Sequence, residues 1–298
     1  MTNITEPDLQ ATIQSWDEAA WSLAALALAA RGDGPPELTA AARALLAATG
    51  LTGTTGQPLP GPGTSTARQI ASQAAAPLHQ ASALLSGTGI GWCTQNDEAL
   101  LAQGHASAQA ARPFAQVLLP GMGDLAGRLA SPGTRMLDIG TGVGALAVAF
   151  ARAFPQLHVL GIDVLDRALD LARQTVATSG VAARVRVRKQ DVADFADDAG
   201  FDLAFLPAPF IAQPALHRGL PRVAAALRPG GWLMVGHGRF AGTPVQDALT
   251  RFKTIAYGGT PLDGAAACRL LRHAGLTSVR AVPTPAGAPA IAIGQKPA

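Results

Sequence analysis

The chain has 298 residues, of which 48% are hydrophobic and 14% charged, and its formal net charge is only +3. This length suits one large or two modest domains, and the small net charge does not favour a nucleic-acid partner. The longest apolar run near the start, residues 21–30, is far shorter than the roughly 20 residues that a membrane span needs. Acidic residues precede this run, which does not fit a signal peptide, so we expect a cytoplasmic protein with no membrane partner.

Neither the cysteines nor the basic residues indicate a binding site by themselves. Cys93 and Cys268 lie far apart and outside any spacing that is typical of zinc sites, so we predict no disulfide framework and no metal. Arg184, Arg186 and Arg188 alternate with valines, which puts the three arginines on one face of a strand. We interpret this face as the solvated side of an edge strand rather than as a phosphate-binding stripe.

Residues 1–130 carry helical signals and almost no strand signals, so we expect an all-helical region there. Helices are predicted at residues 8–31, 36–49, 65–85 and 96–111. Residues 50–64 are rich in Gly, Pro and Thr and are typical of a linker, and a glycine-rich turn at residues 86–97 carries Trp92. We expect this region to act as a lid that helps to bind the substrate, and it is also a candidate surface for homodimer formation.

The pattern changes after Pro132, where short apolar runs alternate with helical stretches. Strands are predicted at residues 135–139, 158–163, 184–188, 201–206 and 232–237. This alternation is typical of parallel strands joined by right-handed crossovers. After a helix at residues 265–275, two further strands, at residues 278–284 and 290–295, are expected to form an antiparallel hairpin. Residues 131–298 therefore predict an α/β fold with a mostly parallel, seven-stranded sheet.

The strongest local signal is a strand that runs through three glycines, Gly140, Gly142 and Gly144, into a helix. Glycine lets the backbone turn tightly and approach a ligand closely, and the first N–H groups of a helix are free to bind it. The pattern predicts a nucleotide-binding loop, but Gly140, Gly142 and Ala145 also satisfy the dinucleotide pattern G-x-G-x-x-G/A. The next strand ends in Asp163, and an acid there would bind ribose hydroxyls with either cofactor.

The ordered set of motifs distinguishes between these cofactors. The pattern D-x-G-x-G-x-G at residues 138–144 is followed by the acid Asp163, by a third strand that ends before Asp191, and by the segment LPAPF at residues 206–210. Over about residues 129–298 this set resembles the class I S-adenosylmethionine-dependent methyltransferase family. The resemblance implies a Rossmann-like core that binds S-adenosylmethionine, releases S-adenosylhomocysteine and requires no metal.

The resemblance also assigns roles to individual residues. The glycine loop would pass under the methionine part of the cofactor, Asp163 would hold the ribose diol, and Asp191 would accept a hydrogen bond from the adenine amine. Val164 would pack against adenine, with Val192 close by. The cofactor-binding residues implied in this way are Asp138, Gly140, Thr141, Gly142, Gly144, Asp163, Val164, Asp191, Val192 and Leu206. In the alternative interpretation, the acids are only turn and cap residues of an α/β sheet.

The segment LPAPF bears on the acceptor, because in this family it borders the transferable methyl group. Members that methylate amino groups often carry Asn or Asp, Pro, Pro and an aromatic residue there. With Leu206 in the polar position, the resemblance favours an apolar or aromatic acceptor against Phe210, and C- or O-methyl transfer over N-methyl transfer. The residues expected to bind the acceptor are Trp92, Pro207, Phe210 and His217. Alternatively, the two prolines only end the strand.

Two histidines are candidates for a catalytic base. A base is needed only if the acceptor must lose a proton during attack. His237 falls at the carboxyl end of the fifth predicted strand, the edge where α/β sheets bind ligands, and His105 lies in the helical segment before the core. A lone histidine is more often structural than catalytic, so position is the only argument for these two.

The chain most resembles small-molecule methyltransferases of bacterial secondary metabolism, some of which act on an indole carbon. We therefore expect methyl transfer to a small natural product, for example one that contains indole. Three alternatives stay open: cyclisation of the cofactor's own aminobutyl part, a non-catalytic cofactor-binding protein that docks on a partner, and an NAD-dependent oxidoreductase.

Overall fold

A computed structural model describes residues 6–50, 60–85, 91–197, 200–240, 243–284 and 290–298. The chain forms two units, Met1–Ser86 and Gly87–Ala298. The predicted linker at residues 50–64 and the predicted turn at 86–97 lie partly outside the described residues, and the connection at 285–289 lies entirely outside them. Within the described residues, no helix has the length and apolar character needed to cross a membrane.

The described part of the first unit consists of helices rich in alanine. These are α1 (Glu6–Arg31), α2 (Pro36–Ala48) and α3 (Ser65–Leu85). Pro36 occupies the first position of α2, where its fixed φ suits a helix and its missing N–H costs nothing. Small side chains let α1 and α2 approach closely, since Ala25, Ala29, Ala42 and Leu46 form a buried cluster between them. The helices predicted for this region are confirmed.

The second unit contains the sheet and the remaining helices. Its helices are α4 (Asp97–Ala108), α5 (Ala111–Pro113), α6 (Leu125–Leu129), α7 (Ala145–Ala153), α8 (Asp166–Ala177), α9 (Gln213–Ala226), α10 (Pro244–Ala256) and α11 (Gly264–His273). Its strands are β1 (Arg135–Ile139), β2 (His158–Asp163), β3 (Val185–Lys189), β4 (Phe201–Pro207), β5 (Leu227–His237), β6 (Thr277–Val282) and β7 (Ala290–Gln295). Each predicted strand is present, whereas α10 has no counterpart in the sequence prediction.

The strands form one sheet in the order β3-β2-β1-β4-β5-β7-β6. β1 to β5 are parallel, and β7 runs antiparallel to both β5 and β6. The predicted Rossmann-like sheet with a C-terminal antiparallel hairpin is therefore confirmed. After β3 at one edge of the sheet, the chain returns to form β4 on the other side of β1, so the strand order reverses between β1 and β4. Open α/β sheets bind ligands beyond the carboxyl ends of the strands at such a point.

Both faces of the sheet are buried. Met136 in β1 belongs to a hydrophobic cluster with side chains of α7, and Leu137 belongs to a second cluster with side chains of α9 and α11. Successive side chains of a strand point to opposite faces, so a strand that is covered on both faces is apolar at nearly every position. This explains why continuous apolar runs are a sufficient signal for β1 and β4.

β5 differs from its prediction because it begins at Leu227, five residues before the expected start at Trp232. The predicted turn LRPGG is therefore part of the strand. Its pairing with β4 is irregular between Phe201 and Leu203, which accommodates the extra residues. Glycine and proline in this stretch mark a bulge in the strand rather than its end.

The division between the two units falls after Ser86, whereas the sequence suggests a boundary near residue 130. The helices α4 to α6 belong to the unit that contains the sheet, because α4 packs against α7 and α8. An ion pair between Asp97 at the start of α4 and Arg167 in α8 adds to this contact, with 2.6 Å between Arg167 Nε and Asp97 Oδ1. A lid or dimerisation role for residues 1–130 stays a proposal.

β3 is an edge strand of the sheet, as the alternating arginines predict. Arg184, just before β3, donates hydrogen bonds to the carbonyl oxygens of Ala151 and Leu157 at 2.7 and 3.0 Å. Arg188 forms an ion pair with Asp197 at 2.9 Å. These two arginines are bound to the protein itself, which supports the structural interpretation of the basic cluster.

Candidate functional site

The loop between β1 and α7 turns sharply at its three glycines. Gly140, Gly142 and Gly144 have φ values of 64°, 56° and 73°, in the left-handed region where other residues would be strained. The Thr141 N–H donates to the Ile162 carbonyl oxygen at 3.0 Å, which ties the loop to β2. β1 and β2 pair in parallel register, so the loop lies at their common carboxyl edge.

Two acids hold this glycine loop. Asp138 Oδ2 accepts a hydrogen bond from Thr141 Oγ1 at 2.7 Å. Asp163, at the end of β2, accepts from the backbone N–H groups of Gly142 and Leu165 at 2.8 and 3.0 Å. Burial raises the pKa of Asp138 to about 7, and the charge of Asp163 adds to this rise while the Thr141 hydrogen bond opposes it. Burial also raises the pKa of Asp163, against the effect of its backbone hydrogen bonds.

A cavity of about 420 Å³ lies beside the glycine loop, and its lining residues all belong to the second unit. This volume is in the range of small-molecule pockets. Asp163 and Val164 line it at the end of β2, and Asp191 and Val192 line it after β3. Asp191 Oδ1 accepts a hydrogen bond from the Ala193 N–H at 2.8 Å, which caps a short helical turn. The ends of β2 and β3 thus supply both carboxylates and apolar surface.

Three aromatic residues, Trp92, Phe210 and Tyr257, form what we call the aromatic wall of this cavity. The rings of Trp92 and Tyr257 stack with their centroids 5.3 Å apart. Phe210 meets both rings at steep angles, at 5.4 Å from Trp92 and 5.2 Å from Tyr257. Burial raises the pKa of the Tyr257 hydroxyl. Such a cluster offers flat apolar surface to a ligand.

Backbone contacts hold the segments of the aromatic wall together. The Gly91 N–H donates to the Ala256 carbonyl oxygen at 2.9 Å, which joins the turn before α4 to the end of α10. A Cβ on Gly259 would overlap the Pro209 carbonyl oxygen. Glycine at this position therefore lets the turn after α10 lie directly on the segment that follows β4.

α4 forms a further part of the lining, which the sequence analysis does not assign to the site. It contributes Leu100, Gln103, Gly104 and Ser107. A Cβ on Gly104 would overlap Val143 Cγ2 in the glycine loop, so glycine is what allows the helix and the loop to pack this closely. An isolated glycine inside a helical pattern is the sequence signal that could indicate this contact.

The cavity brings together part of the predicted site. The predicted residues that line it are Gly140, Gly142, Asp163, Val164, Asp191, Val192, Trp92 and Phe210. Those that do not line it are Asp138, Thr141, Gly144, Leu206, Pro207, His105, His217 and His237. Lining residues without a predicted role include Tyr257 and the side chains of α4. No short motif marks these residues, because their segments meet only through tertiary packing.

Leu206 and Pro207 lie behind the lining rather than in it. Leu206 is 0% exposed and belongs to the core cluster on the α9 and α11 face of the sheet. Its side chain therefore packs between the sheet and the helices α9 and α11, and not at the cavity. Pro207 lies near the glycine loop, since a Cβ on Gly140 would lie 3.7 Å from Pro207 Cγ and 3.4 Å from Ile211 Cδ1.

The three predicted histidines do not line this cavity, so a histidine base stays a prediction. His237 Nδ1 lies 2.9 Å from the Gly238 carbonyl oxygen, and His217 is exposed on α9. His105 is exposed and follows Gly104, and because each helical residue turns by about 100°, its side chain points away from the lining. In the described parts of the chain, no three His, Cys, Asp or Glu side chains are grouped to hold a metal ion.

Comparison with known proteins is consistent with this geometry. Residues 136–231 match the family model described as a methyltransferase domain. The release factor glutamine methyltransferase of Rhodopirellula baltica is 33% identical over 122 residues, which are 40% of this chain and 41% of that relative. The chain spans about half the length, or less, of the curated relatives that it matches.

Solved structures share the fold over nearly the whole chain. An O-methyltransferase family protein from Burkholderia thailandensis superposes with a TM-score of 0.64 at 19% identity, with 99% of each chain covered. The mitomycin 7-O-methyltransferase MmcR gives 0.61 at 20% identity, with 97% of this chain and 98% of MmcR covered. PigF, solved with SAH, gives 0.63 at 20% identity, with 99% and 100% covered.

At these identities the structural likeness establishes the fold, and the matched domain contains the glycine loop and both acids of the cavity. Residues 136–231 therefore match a methyltransferase domain, and the chain has the fold of the class I S-adenosylmethionine-dependent methyltransferases, whose cofactor is S-adenosylmethionine.

Proposed function

We propose that this chain is an enzyme that transfers a methyl group from S-adenosylmethionine to a small, flat acceptor that is apolar or aromatic. The observation that carries this proposal is the presence of the glycine loop and the aromatic wall in one cavity. The glycine loop suits the methyl donor, and the aromatic wall suits a flat ring of the acceptor. The proposal adds the reaction and the type of acceptor to the matched domain and the shared fold.

Asp163 and Asp191 are the residues that we propose to hold the ribose diol and the adenine amine. A carboxylate oxygen accepts more than one hydrogen bond, so Asp163 can bind a hydroxyl while it also accepts backbone N–H groups. Val164 and Val192 offer apolar surface for adenine. Apart from Gly142 and its two chain neighbours, no described residue has an atom within 4 Å of where a Cβ on Gly142 would be, which leaves room for a ligand over the loop.

The charge of the cavity supports the methyl donor over NAD. Its two carboxylates, Asp163 and Asp191, produce a negative potential in a partly enclosed space. This potential favours the positively charged sulfonium of S-adenosylmethionine and disfavours the pyrophosphate of a dinucleotide. The carboxylates thus weigh against the oxidoreductase alternative.

For methyl transfer, the main task of the protein is to place the donor and the acceptor next to each other. When bound, S-adenosylmethionine supplies a methyl group that is already activated by its sulfonium centre. The glycine loop, α4 and the aromatic wall would hold the acceptor beside the donor and exclude water. Orientation of two reactants can lower a barrier by roughly 7–11 kcal/mol, so positioning can supply most of the catalysis. The proposal includes no histidine base, because the predicted histidines lie outside the lining.

For the acceptor atom we propose carbon or oxygen rather than nitrogen. Leu206 is buried in the core, so the polar residue that binds amino groups in related enzymes has no counterpart at this position. Two of the similar structures are O-methyltransferases by name, which supports an oxygen acceptor. The aromatic wall is also compatible with an indole carbon, as the sequence analysis suggests.

The test begins with calorimetric titration of the protein with S-adenosylhomocysteine and with NAD. We expect binding of the first and no binding of the second. Assays with methyl-labelled S-adenosylmethionine then use indole and 1-naphthol as flat probes, and we expect label in at least one of them. Phe210→Leu should raise the KM of the acceptor and leave the affinity for S-adenosylhomocysteine unchanged, because Phe210 belongs to the aromatic wall.

A matched pair of variants tests the cofactor assignment. Asp163→Asn should weaken the binding of S-adenosylhomocysteine by about tenfold or more, because a charge-assisted hydrogen bond is lost. Asp170→Asn is the control, since Asp170 is exposed on α8 and pairs with Arg173 at the surface. NAD binding without S-adenosylhomocysteine binding would contradict the proposal. A cyclised cofactor product formed without acceptor would favour cyclisation, and cofactor binding without any transfer would favour a non-catalytic partner protein.

A further inference from the structure

The three rings of the aromatic wall stand at the corners of a nearly equilateral triangle. The ring centroids are 5.3 Å apart between Trp92 and Tyr257, 5.4 Å between Trp92 and Phe210, and 5.2 Å between Phe210 and Tyr257. Phe210 therefore lies beside the stacked pair, because a ring at one end of the stack would be much farther from the second ring. The outer faces of the Trp92 and Tyr257 rings are thus not covered by Phe210.

The aromatic wall adjoins the glycine loop. Phe210 lies between Pro207 and Ile211 in the chain, and these two residues come within 3.7 and 3.4 Å of where a Cβ on Gly140 would be. Gly140 lines the same cavity as the three aromatic residues, which are all half-buried. The aromatic wall therefore borders the place where the glycine loop would hold the methionine part of the cofactor, and this part contains the sulfonium.

The charges of the lining favour a cation beside the aromatic wall. Asp163 and Asp191 are acidic, and none of the described lining residues is Lys, Arg or His. A sulfonium has no N–H or O–H group, so a carboxylate can attract it but cannot fix its position through a hydrogen bond. The face of an aromatic ring carries the negative part of the ring quadrupole and can contact such a cation directly.

We infer that the aromatic wall holds the sulfonium of S-adenosylmethionine through cation–π contact, and thereby distinguishes this methyl donor from the uncharged product, S-adenosylhomocysteine. The inference rests on the proposed function and adds a second role for the aromatic wall, beside that of a surface for the acceptor. Trp92 is the main contributor, because tryptophan attracts cations more strongly than tyrosine or phenylalanine does.

This preference for the donor has a consequence for turnover. On transfer, the acceptor forms a bond to the methyl carbon, and the electron pair of the broken carbon–sulfur bond stays on sulfur. The acceptor releases its proton to solvent, and the sulfur is left as a neutral thioether. The cation–π attraction is then lost, so the aromatic wall favours replacement of the product by a new molecule of the donor.

The experiment measures the affinities for S-adenosylmethionine and S-adenosylhomocysteine by calorimetry, without an acceptor and so without turnover. The readout is the ratio of the two dissociation constants, because general damage to the cavity affects both ligands and cancels in the ratio. Trp92→Leu removes a ring and changes no charge, so we expect the preference for S-adenosylmethionine to fall by about fivefold to thirtyfold. Trp92→Phe keeps a weaker ring and should lower this preference less.

Two control variants separate the ring faces from other properties of the lining. Tyr257→Phe keeps the ring and removes only the hydroxyl group, so the ratio should stay unchanged. Val164→Ala removes apolar lining surface that has no ring, so it should weaken the binding of both ligands equally. A loss of preference in either control as large as that in Trp92→Leu would show that ring faces are not the cause.

Equal weakening of both ligands by Trp92→Leu would overturn the inference. The wall would instead bind a cation of the acceptor if this ratio stayed unchanged while Trp92→Leu abolished binding of tetramethylammonium to the complex with S-adenosylhomocysteine. The proposed function is judged separately, by methyl transfer to the flat probes. Transfer with an unchanged ratio keeps the proposed function and excludes the inference, whereas no binding of either cofactor form excludes both.

Discussion

Asp138 and Asp163 support the same loop from different environments. Asp138 is 1% exposed, and Thr141 donates a hydrogen bond to its carboxyl group. Asp163 lies at the cavity surface and accepts backbone N–H groups from the loop and from the segment after β2. Because ionisation of a buried carboxyl group is unfavourable, Asp138 suits a structural support, whereas Asp163 suits ligand binding.

The first prediction concerns the pH dependence of stability. The pKa of Asp138 rises from 3.8 to about 7 in the fold. Between pH 3.8 and about 7, the native state keeps a proton on Asp138 that the unfolded state has lost, so the free energy of unfolding falls as pH rises. Above about pH 7 both states have lost this proton, and the free energy of unfolding falls no further on account of Asp138. A rise of about three units corresponds to roughly 4 kcal/mol.

Asp138→Asn removes this titration and keeps an oxygen that can accept from Thr141. We expect the variant to be more stable than the unchanged protein above pH 7 and to lose less stability between pH 4 and 7. Urea unfolding at a series of pH values measures both effects. The same fall of stability with pH in both proteins would show that Asp138 is not the group responsible.

The second prediction concerns Leu206, which is fully buried in the core. Leu206→Asn would place an amide among apolar side chains, so we expect a loss of about 2–4 kcal/mol in the free energy of unfolding and no gain of methyl transfer to amines. Leu206→Met, which nearly conserves volume, should cost less than about 1.5 kcal/mol. A stable Leu206→Asn protein that methylates an amine would mean that this position reaches the cavity.

At the scale of elements, α4 links the glycine loop to α8. Asn96 caps its first turn, with Asn96 Oδ1 accepting from the Ala99 N–H at 2.9 Å, and the ion pair with Arg167 holds the same end. Further along the helix, Gly104 contacts Val143 in the loop. The helix is thus positioned at its start and packed on the loop in its middle, so a change in this contact should reach the cofactor.

The third prediction follows from this contact. Gly104→Ala would force α4 and the glycine loop apart, because the new Cβ overlaps Val143 Cγ2. Overpacking of this kind costs about 1–3 kcal/mol, so we expect affinity for S-adenosylhomocysteine to fall by about tenfold or more. Calorimetry measures this affinity.

Two variants control for the effect of alanine itself. At Gly127 in α6, a Cβ would meet no described atom within 4 Å beyond its chain neighbours and the backbone of its own helix, so Gly127→Ala should leave cofactor affinity unchanged. Adding Val143→Ala to Gly104→Ala should restore part of the affinity, because it removes the overlapping methyl group. If Gly104→Ala binds S-adenosylhomocysteine as tightly as the unchanged protein, then the contact does not position the loop.

At the scale of the whole molecule, the first unit presents an apolar stripe. Leu9, Ile13, Trp16 and Leu23 follow helical spacing along one face of α1, and all four are exposed, Trp16 by 69%. Contiguous exposed apolar surface of this kind is typical of interaction sites. We propose that this face joins two copies of the chain, as the sequence analysis expects for the N-terminal helices.

The fourth prediction tests this dimer. Trp16→Glu places a charge in the middle of the apolar stripe, so we expect the mass in solution to shift from dimer towards monomer. Val245→Glu, at an exposed apolar residue of α10 in the second unit, is the matched control and should leave the mass unchanged. Sedimentation equilibrium at several concentrations gives both masses. A monomeric unchanged protein would contradict the proposal.

Much of the fold follows from the sequence because its signals are local. The predicted bounds of β1, β2 and β7 agree with the structure, since each is an apolar run of strand length with clear ends. Gly140, Asp163 and Asp191 each lie at or just after the carboxyl end of a parallel strand, so knowledge of the sheet is enough to bring them to one edge. The sequence by itself thus determined the fold class and the acids that line the cavity, and the resemblance of its motifs implied the cofactor.

Only the tertiary structure decided which distant side chains complete the site. Tyr257 meets Trp92, and Gly104 meets Val143, through packing between elements that are far apart in the chain, and no local pattern records such contacts. The direction of each side chain decided which residues near the cavity line it. His105 lies next to a lining residue and points away from the cavity, because neighbouring positions on a helix face different directions.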